Sequence, residues 1–155
     1  MRSVAELLRA HPLFEGLDDE TVEQLAGCAV NRHFAPDEYL FRTGEPADHF
    51  FMLRLGGVAL DVVGPGEREL VVDTVGPGGV VGISWLVPPY RWANDARATE
   101  STSAVALNAT CLLARFDEDP RLGYQMLQRV LSAMADRLYS ARIRLLDLYG
   151  TPGAR

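Results

Sequence analysis

The part of the chain best equipped for chemistry lies between Gly76 and Trp92, GPGGVVGISWLVPPYRW. It holds four glycines, three prolines, two tryptophans and one arginine, with no acid among them. Bare backbone N–H groups beside a guanidinium fork suit an anion such as phosphate. Nucleophilic catalysis finds less support. Ser84 follows Gly82 by two residues, but Leu86 stands where a nucleophile elbow needs its second glycine, and no acid–histidine pair accompanies it. No enzyme is expected. His11, His33 and His49 share no metal-ligand spacing and read as structural or exposed. The acid pairs Asp18-Asp19 and Glu118-Asp119 stand at expected helix starts, where the macrodipole accounts for them. Cys28 and Cys111 are too few for a cluster and lack zinc-site spacing, so they read as reduced, buried thiols.

The elements that must position that segment are legible on either side of it. Ser3-x-x-Glu6 is a capping box opening a helix over Val4 to Arg9, ended by His11-Pro12, and Asp18 to Glu20 open a second helix through Ala26. From about Ala29, short Val-, Leu- and Phe-rich runs are broken every eight to twelve residues by Gly, Pro or Asp. That pattern predicts an antiparallel barrel or sandwich with strands at Val30–Phe34, Glu38–Phe41, Phe50–Leu55, Val58–Val63, Glu69–Val75, Ala93–Thr99, Ser103–Leu107 and Thr110–Phe116. Gly56-Gly57 and Gly64-Pro65-Gly66 supply tight reversals. Phe50 and Phe51 place one ring on each face of their strand, one toward the roll and one toward a helical cap.

From Asp119-Pro120 to Tyr149 one long helix is expected. Leu127, Leu131, Met134, Leu138, Ala141, Leu145 and Leu148 recur along it at spacings of 4, 3, 4, 3, 4 and 3. A helix of about 45 Å, at 1.5 Å per residue, overshoots a domain of roughly 15 Å radius of gyration. Residues Leu122 to Val130 are therefore expected to pack on the strands, and the part beyond Met134 to pair with a second copy in a parallel coiled coil flanked by Arg137, Arg142, Arg144 and Asp147.

Composition sets the outer limits. With 155 residues, 48% of them apolar, the chain suits a single globular domain. A net charge of −6 argues against sequence-independent nucleic-acid binding. The longest uncharged run, Thr74 to Tyr90, is too rich in glycine and proline to hold a helix in lipid, and no export signal is visible, so a cytoplasmic protein without a membrane span is expected.

This order of elements, together with HPLFEGL (11–17), LFRTGEPADHFFMLRLGGVAL (40–60), VGPGGVVG (75–82) and DARA (95–98), resembles the cyclic-nucleotide-binding domain family, which includes bacterial catabolite activator proteins and regulatory subunits of cyclic-AMP-dependent kinase. The resemblance covers nearly the whole chain. It implies a mainly β fold with flanking helices: short N-terminal helices (1–28), an antiparallel β-roll of the double-stranded jelly-roll-like kind (29–117) and a long C-terminal dimerisation helix (119–149). It also implies that residues 76–98 form a phosphate cassette, in which Gly82, Ile83, Ser84 and Trp85 offer amides to a ligand such as cyclic AMP or another cyclic nucleotide, and Arg91 supplies the charge.

The sequence departs from the family at two points. Ile83 stands where the family places the glutamate that accepts the ribose hydroxyl, and an unpaired buried hydroxyl costs roughly 1–3 kcal/mol. Trp92 follows Arg91 where a small residue is usual, and its indole, like that of Trp85, can stack on a base or fill the hollow. Asp95 or Asn94 could replace the missing acceptor. Two functions follow: a homodimeric sensor reporting a phosphorylated ligand to a protein client through the long helix, or a dimeric adaptor whose pocket is closed. No other cofactor is implied. Since only TPGAR follows Gly150, direct DNA contact is not expected.

Overall fold

The computed structural model describes residues 2–150. Helix α1 (Val4–Ala10) opens on the capping box of Ser3 and Glu6, and a short 3-10 turn, Pro12–Phe14, leads to α2 (Asp19–Ala26), capped by Asp18 on the Thr21 amide. Eight strands follow: β1 (Ala29–Phe34), β2 (Tyr39–Phe41), β3 (His49–Leu55), β4 (Val58–Val63), β5 (Glu69–Val75), β6 (Val80–Val81), β7 (Asp95–Ala98) and β8 (Thr102–Asn108). They form two four-stranded sheets, ordered β1-β8-β3-β6 and β2-β7-β4-β5, with antiparallel pairing throughout. Helices α3 (Ala109–Glu118) and α4 (Pro120–Gly150) complete the described chain.

Alternation along β3 divides the interior into two cores. Phe51 and Leu53 face into the roll with Phe34, Val58, Leu60 and Trp92. Phe50 and Met52 face outward and are covered by Leu8, Leu25, Leu112, Leu122 and Met126 from the four helices and by Phe14 from the 3-10 turn. The expected division of the phenylalanine pair between roll and helical cap is therefore present.

Three expectations need correction. Thr110–Phe116 is not a strand but the body of α3, because Asn108 accepts a hydrogen bond from the Cys111 amide and so caps a helix there. A short apolar run such as Cys111-Leu112-Leu113 fits either period. The cap decides, so the roll ends at Asn108 rather than 117. Strand β6 was not anticipated, since its two valines are hidden between glycine turns. Finally, Cys28 and Cys111 are not free thiols but a disulfide. Pairing of Ala29 with Leu107 lays the start of β1 beside the end of β8, the Asn108 amide donates to the Cys28 carbonyl, and the two Cα atoms come to 5.5 Å.

Helix α4 is anchored in its first half by Leu122, Met126 and Val130, all buried in the core that the helices share with the outward faces of β3, β6 and β8, as expected for this stretch. Beyond them it is held by charge. Arg137 donates to the Val80 carbonyl at 2.7 Å, and Arg137 and Arg144 both reach Asp73 of β5, at 3.4 and 3.3 Å. The heptad stripe lies on a different face. Leu131 is 69% exposed, Leu138 53%, Leu145 53% and Leu148 72%. No helix among the described residues is long and apolar enough to cross a membrane.

Candidate functional site

The cassette begins where β6 ends. Gly82 adopts φ +92°, in the left-handed region, and turns the chain into the 3-10 turn Ser84–Leu86. A Cβ at Gly82 would meet the Cη2 and Cζ3 atoms of Trp92 at 2.9 Å, so only glycine permits both the backbone conformation and the indole lying on it. The amides of Ile83, Ser84 and Trp85 have no protein acceptor among the described residues.

The two indoles take different places. Trp85 turns away from the roll, donates to the Gly82 carbonyl at 2.9 Å and packs beside Phe50 and Phe116 in the helical core. Ile83 leans on that same core and is half-buried. Trp92 turns inward, is 4% exposed and stacks on Phe41 with ring centres 3.7 Å apart and planes 11° from parallel. What remains beneath Gly82 is a cavity of about 60 Å³, lined by Phe41, Leu60, Gly82, Ile83, Ser84, Trp92, Asn94, Met134 and Arg137. Small-molecule sites usually span about 300–1,000 Å³. The hollow is too small for a nucleotide as it stands.

Arg91 is exposed and points across the loop that joins β2 to β3, where its Nη1 donates to the Gly44 carbonyl at 2.8 Å. The backbone keeps it there. Gly44 N donates to Trp92 O, Ala47 N to Tyr90 O and Trp92 N to Glu45 O, which lace residues 90–92 onto that loop. Of the two replacement acceptors, Asp95 is not free for a sugar. Asp95 is buried and accepts from the Thr43 amide and hydroxyl at 2.6 and 3.0 Å, with Arg42 Nε at 3.5 Å. Asn94 lines the cavity and donates its side-chain N–H to the Asp95 carbonyl at 2.9 Å, which leaves its Oδ1 acceptor without a partner among the described residues.

Of the six residues the sequence assigned to the ligand, the structure brings Gly82, Ile83, Ser84 and Trp92 to one cavity, but it places Trp85 behind it in the helical core and leaves Arg91 outside on the Gly44 carbonyl. The sequence reading missed Phe41, Met134 and Arg137. No local signal reveals these three, because each reaches the cavity through tertiary docking: Phe41 from β2, the other two from α4. Arg137 is the one cation that lines the cavity, and its Val80 and Asp73 partners hold it at the wall.

The profile of the cyclic nucleotide-binding domain matches residues 31–119, which runs from β1 to the end of α3 and includes the whole cassette. The chain belongs to the cyclic nucleotide-binding domain family. Within that family it is 30% identical to a putative cyclic nucleotide-binding protein from Geobacter metallireducens, with a TM-score of 0.79 over 89% of this chain and 99% of that one. The catabolite activator protein of Thermus thermophilus aligns at 26% identity and a TM-score of 0.69, over 88% of this chain and 62% of its own. The HTH-type transcriptional regulator Cmr of Mycobacterium tuberculosis is 28% identical over 136 residues, 88% of this chain and 54% of the regulator. This cyclic nucleotide-binding domain thus spans about half the length of that regulator.

Proposed function

We propose that the protein is a dimeric regulatory module whose ligand position is closed by its own Trp92. In this reading cyclic AMP and cyclic GMP do not act on it, and its output passes to a protein partner through a pair of α4 helices. The observation that carries the reading is the indole of Trp92, held between Phe41 and Gly82 so that about 60 Å³ remains. Ile83 supports it by offering no acceptor for a ribose hydroxyl. The exposed leucines on α4 support the pairing, since an unpartnered apolar seam of 3.5-residue period suits a two-stranded coil.

Calorimetric titration of the purified chain tests the reading. No heat is expected with cyclic AMP or cyclic GMP at millimolar concentration. The rival reading, a nucleotide sensor, rests on the unpaired amides of residues 83–85 and on Arg91 swinging inward. Binding tighter than about 10 μM that is lost in Arg91→Ala establishes that rival instead.

A further inference from the structure

Side chains alternate faces along a strand, so Arg32 of β1 shares the face of Phe34, which is wholly buried inside the roll. Arg32 bends over that interior. Its guanidinium carbon lies 4.9 Å from the Phe34 ring centre and 5.9 Å from that of Phe51. Between these two aromatic strands runs β8, whose Ala104 and Ala106 stand opposite Arg32 and Phe51 and carry only methyl groups. Beside Arg32 lies a hollow bounded by β2, the loop that joins β2 to β3, the start of β3 and Trp92. Its volume is about 310 Å³, at the lower end of the small-molecule range, and mouths of β-barrels are frequent ligand sites. It shares only Phe41 and Trp92 with the cavity beneath Gly82, so that stacked pair forms the partition between them.

The charges around this hollow are unevenly committed. Asp48 is occupied by His49, whose Nδ1 lies 3.0 Å away, and Glu45 accepts the Arg42 amide at 3.1 Å. The Arg32 guanidinium has no ion pair or hydrogen bond among the described residues, nor does the indole N–H of the nearly buried Trp92. An inward-leaning guanidinium and an unused N–H thus stand over a floor of Phe41, Phe51 and Trp92 rings. Guanidinium matches a carboxylate through two parallel hydrogen bonds, and the rings match a flat apolar body.

We propose that the mouth of the roll binds a small aromatic carboxylate, with Arg32 receiving the carboxylate and the Phe41, Phe51 and Trp92 rings receiving its aromatic body. The inference is independent of whether the cassette admits a nucleotide, since the two hollows lie on different sides of the Phe41–Trp92 pair.

The test uses the full chain, benzoate and benzylamine, followed by the two indole N–H resonances. Benzoate is expected to shift the Trp92 resonance saturably while that of Trp85, bonded to Gly82, stays in place. Arg32→Gln is expected to weaken benzoate about tenfold, the loss of one charge-assisted contact. Arg32→Lys, which keeps the charge but not the fork, should fall between. Thermal melts of both variants show that the roll is intact, and Arg32→Lys carries the comparison if the glutamine variant is unfolded. Three outcomes overturn the proposal: no Trp92 shift at millimolar benzoate, equal benzoate affinity in the folded variants, or benzylamine binding as tightly as benzoate, which would make the site acidic.

Discussion

Replacing Trp92 by alanine separates the structural role of its indole from any role in ligand binding. The side chain is 4% exposed, sits at 3.7 Å on Phe41 and covers Gly82. Truncating a buried tryptophan costs about 3–5 kcal/mol, and at roughly 2–4 °C per kcal/mol for a chain of this size the melting temperature should fall by about 10 °C. The space vacated joins the cavity of about 60 Å³ beneath Gly82 and exposes the amides of residues 83–85. Nucleotide protection should therefore appear in the variant and not in the parent. A ligand at a hundred times its dissociation constant stabilises by about 2.7 kcal/mol, which would restore roughly two-thirds of the lost melting temperature. Thermal scans of both proteins with and without cyclic AMP read this directly. Equal protection of the parent, or a cost below about 1 kcal/mol in Trp92→Ala, refutes the view that the indole is a close-packed plug.

Further outcomes follow from other parts of the molecule. Leu138→Glu with Leu145→Glu places like charges along the exposed face of α4, where both leucines are half exposed in the single chain; light scattering should report a monomer, and the melting temperature should lose the contribution of association and its dependence on protein concentration. Reducing the Cys28–Cys111 bond, which spans 83 positions, should cost up to about 4–5 kcal/mol in the chain-entropy view, seen as a lower melting temperature in dithiothreitol that Cys28→Ser with Cys111→Ser reproduces without reductant. His11 is buried, its Nδ1 accepts from the Leu13 amide and its Nε2 has no partner, so burial holds its pKa below the ordinary imidazole value. The unfolded chain then binds the proton more readily, so stability should fall as the pH drops below about 6.5, while His11→Asn, which keeps an acceptor for Leu13, should flatten that slope.

The elements with strong periodicity were legible before any coordinates. The capping box at Ser3 and the helix after Asp119 could be read locally because caps and heptads are sequence-local devices. The failures share a physical origin. Thr110–Phe116 reads as a strand by composition and becomes α3 only through the Asn108 cap, and the disulfide depends on a pairing of β1 with β8 across more than seventy residues. At the site, the glycine turn and the missing acid were visible, but the direction of Arg91 was not. That direction is set by the Gly44 carbonyl and by backbone bonds between residues 90–92 and the β2–β3 loop, which no spacing in residues 76–92 encodes.

The same geometry bears on what a retained glycine turn can be taken to mean. Glycine after the second turn is ordinarily read as room for a phosphate, yet here the atoms that approach Gly82 belong to Trp92. A β-carbon at that position would collide with the indole whether or not any ligand ever arrives, so the glycine is required by packing alone. Arg91 likewise has a structural task at Gly44 that does not involve an anion. Asp95, held by Thr43 and Arg42, ties β7 to the chain leaving β2 and thereby fixes the segment on which Trp92 rides. Gly82, Arg91 and Asp95 thus each have a partner within the chain, and together these partners keep the roll closed around its own tryptophan.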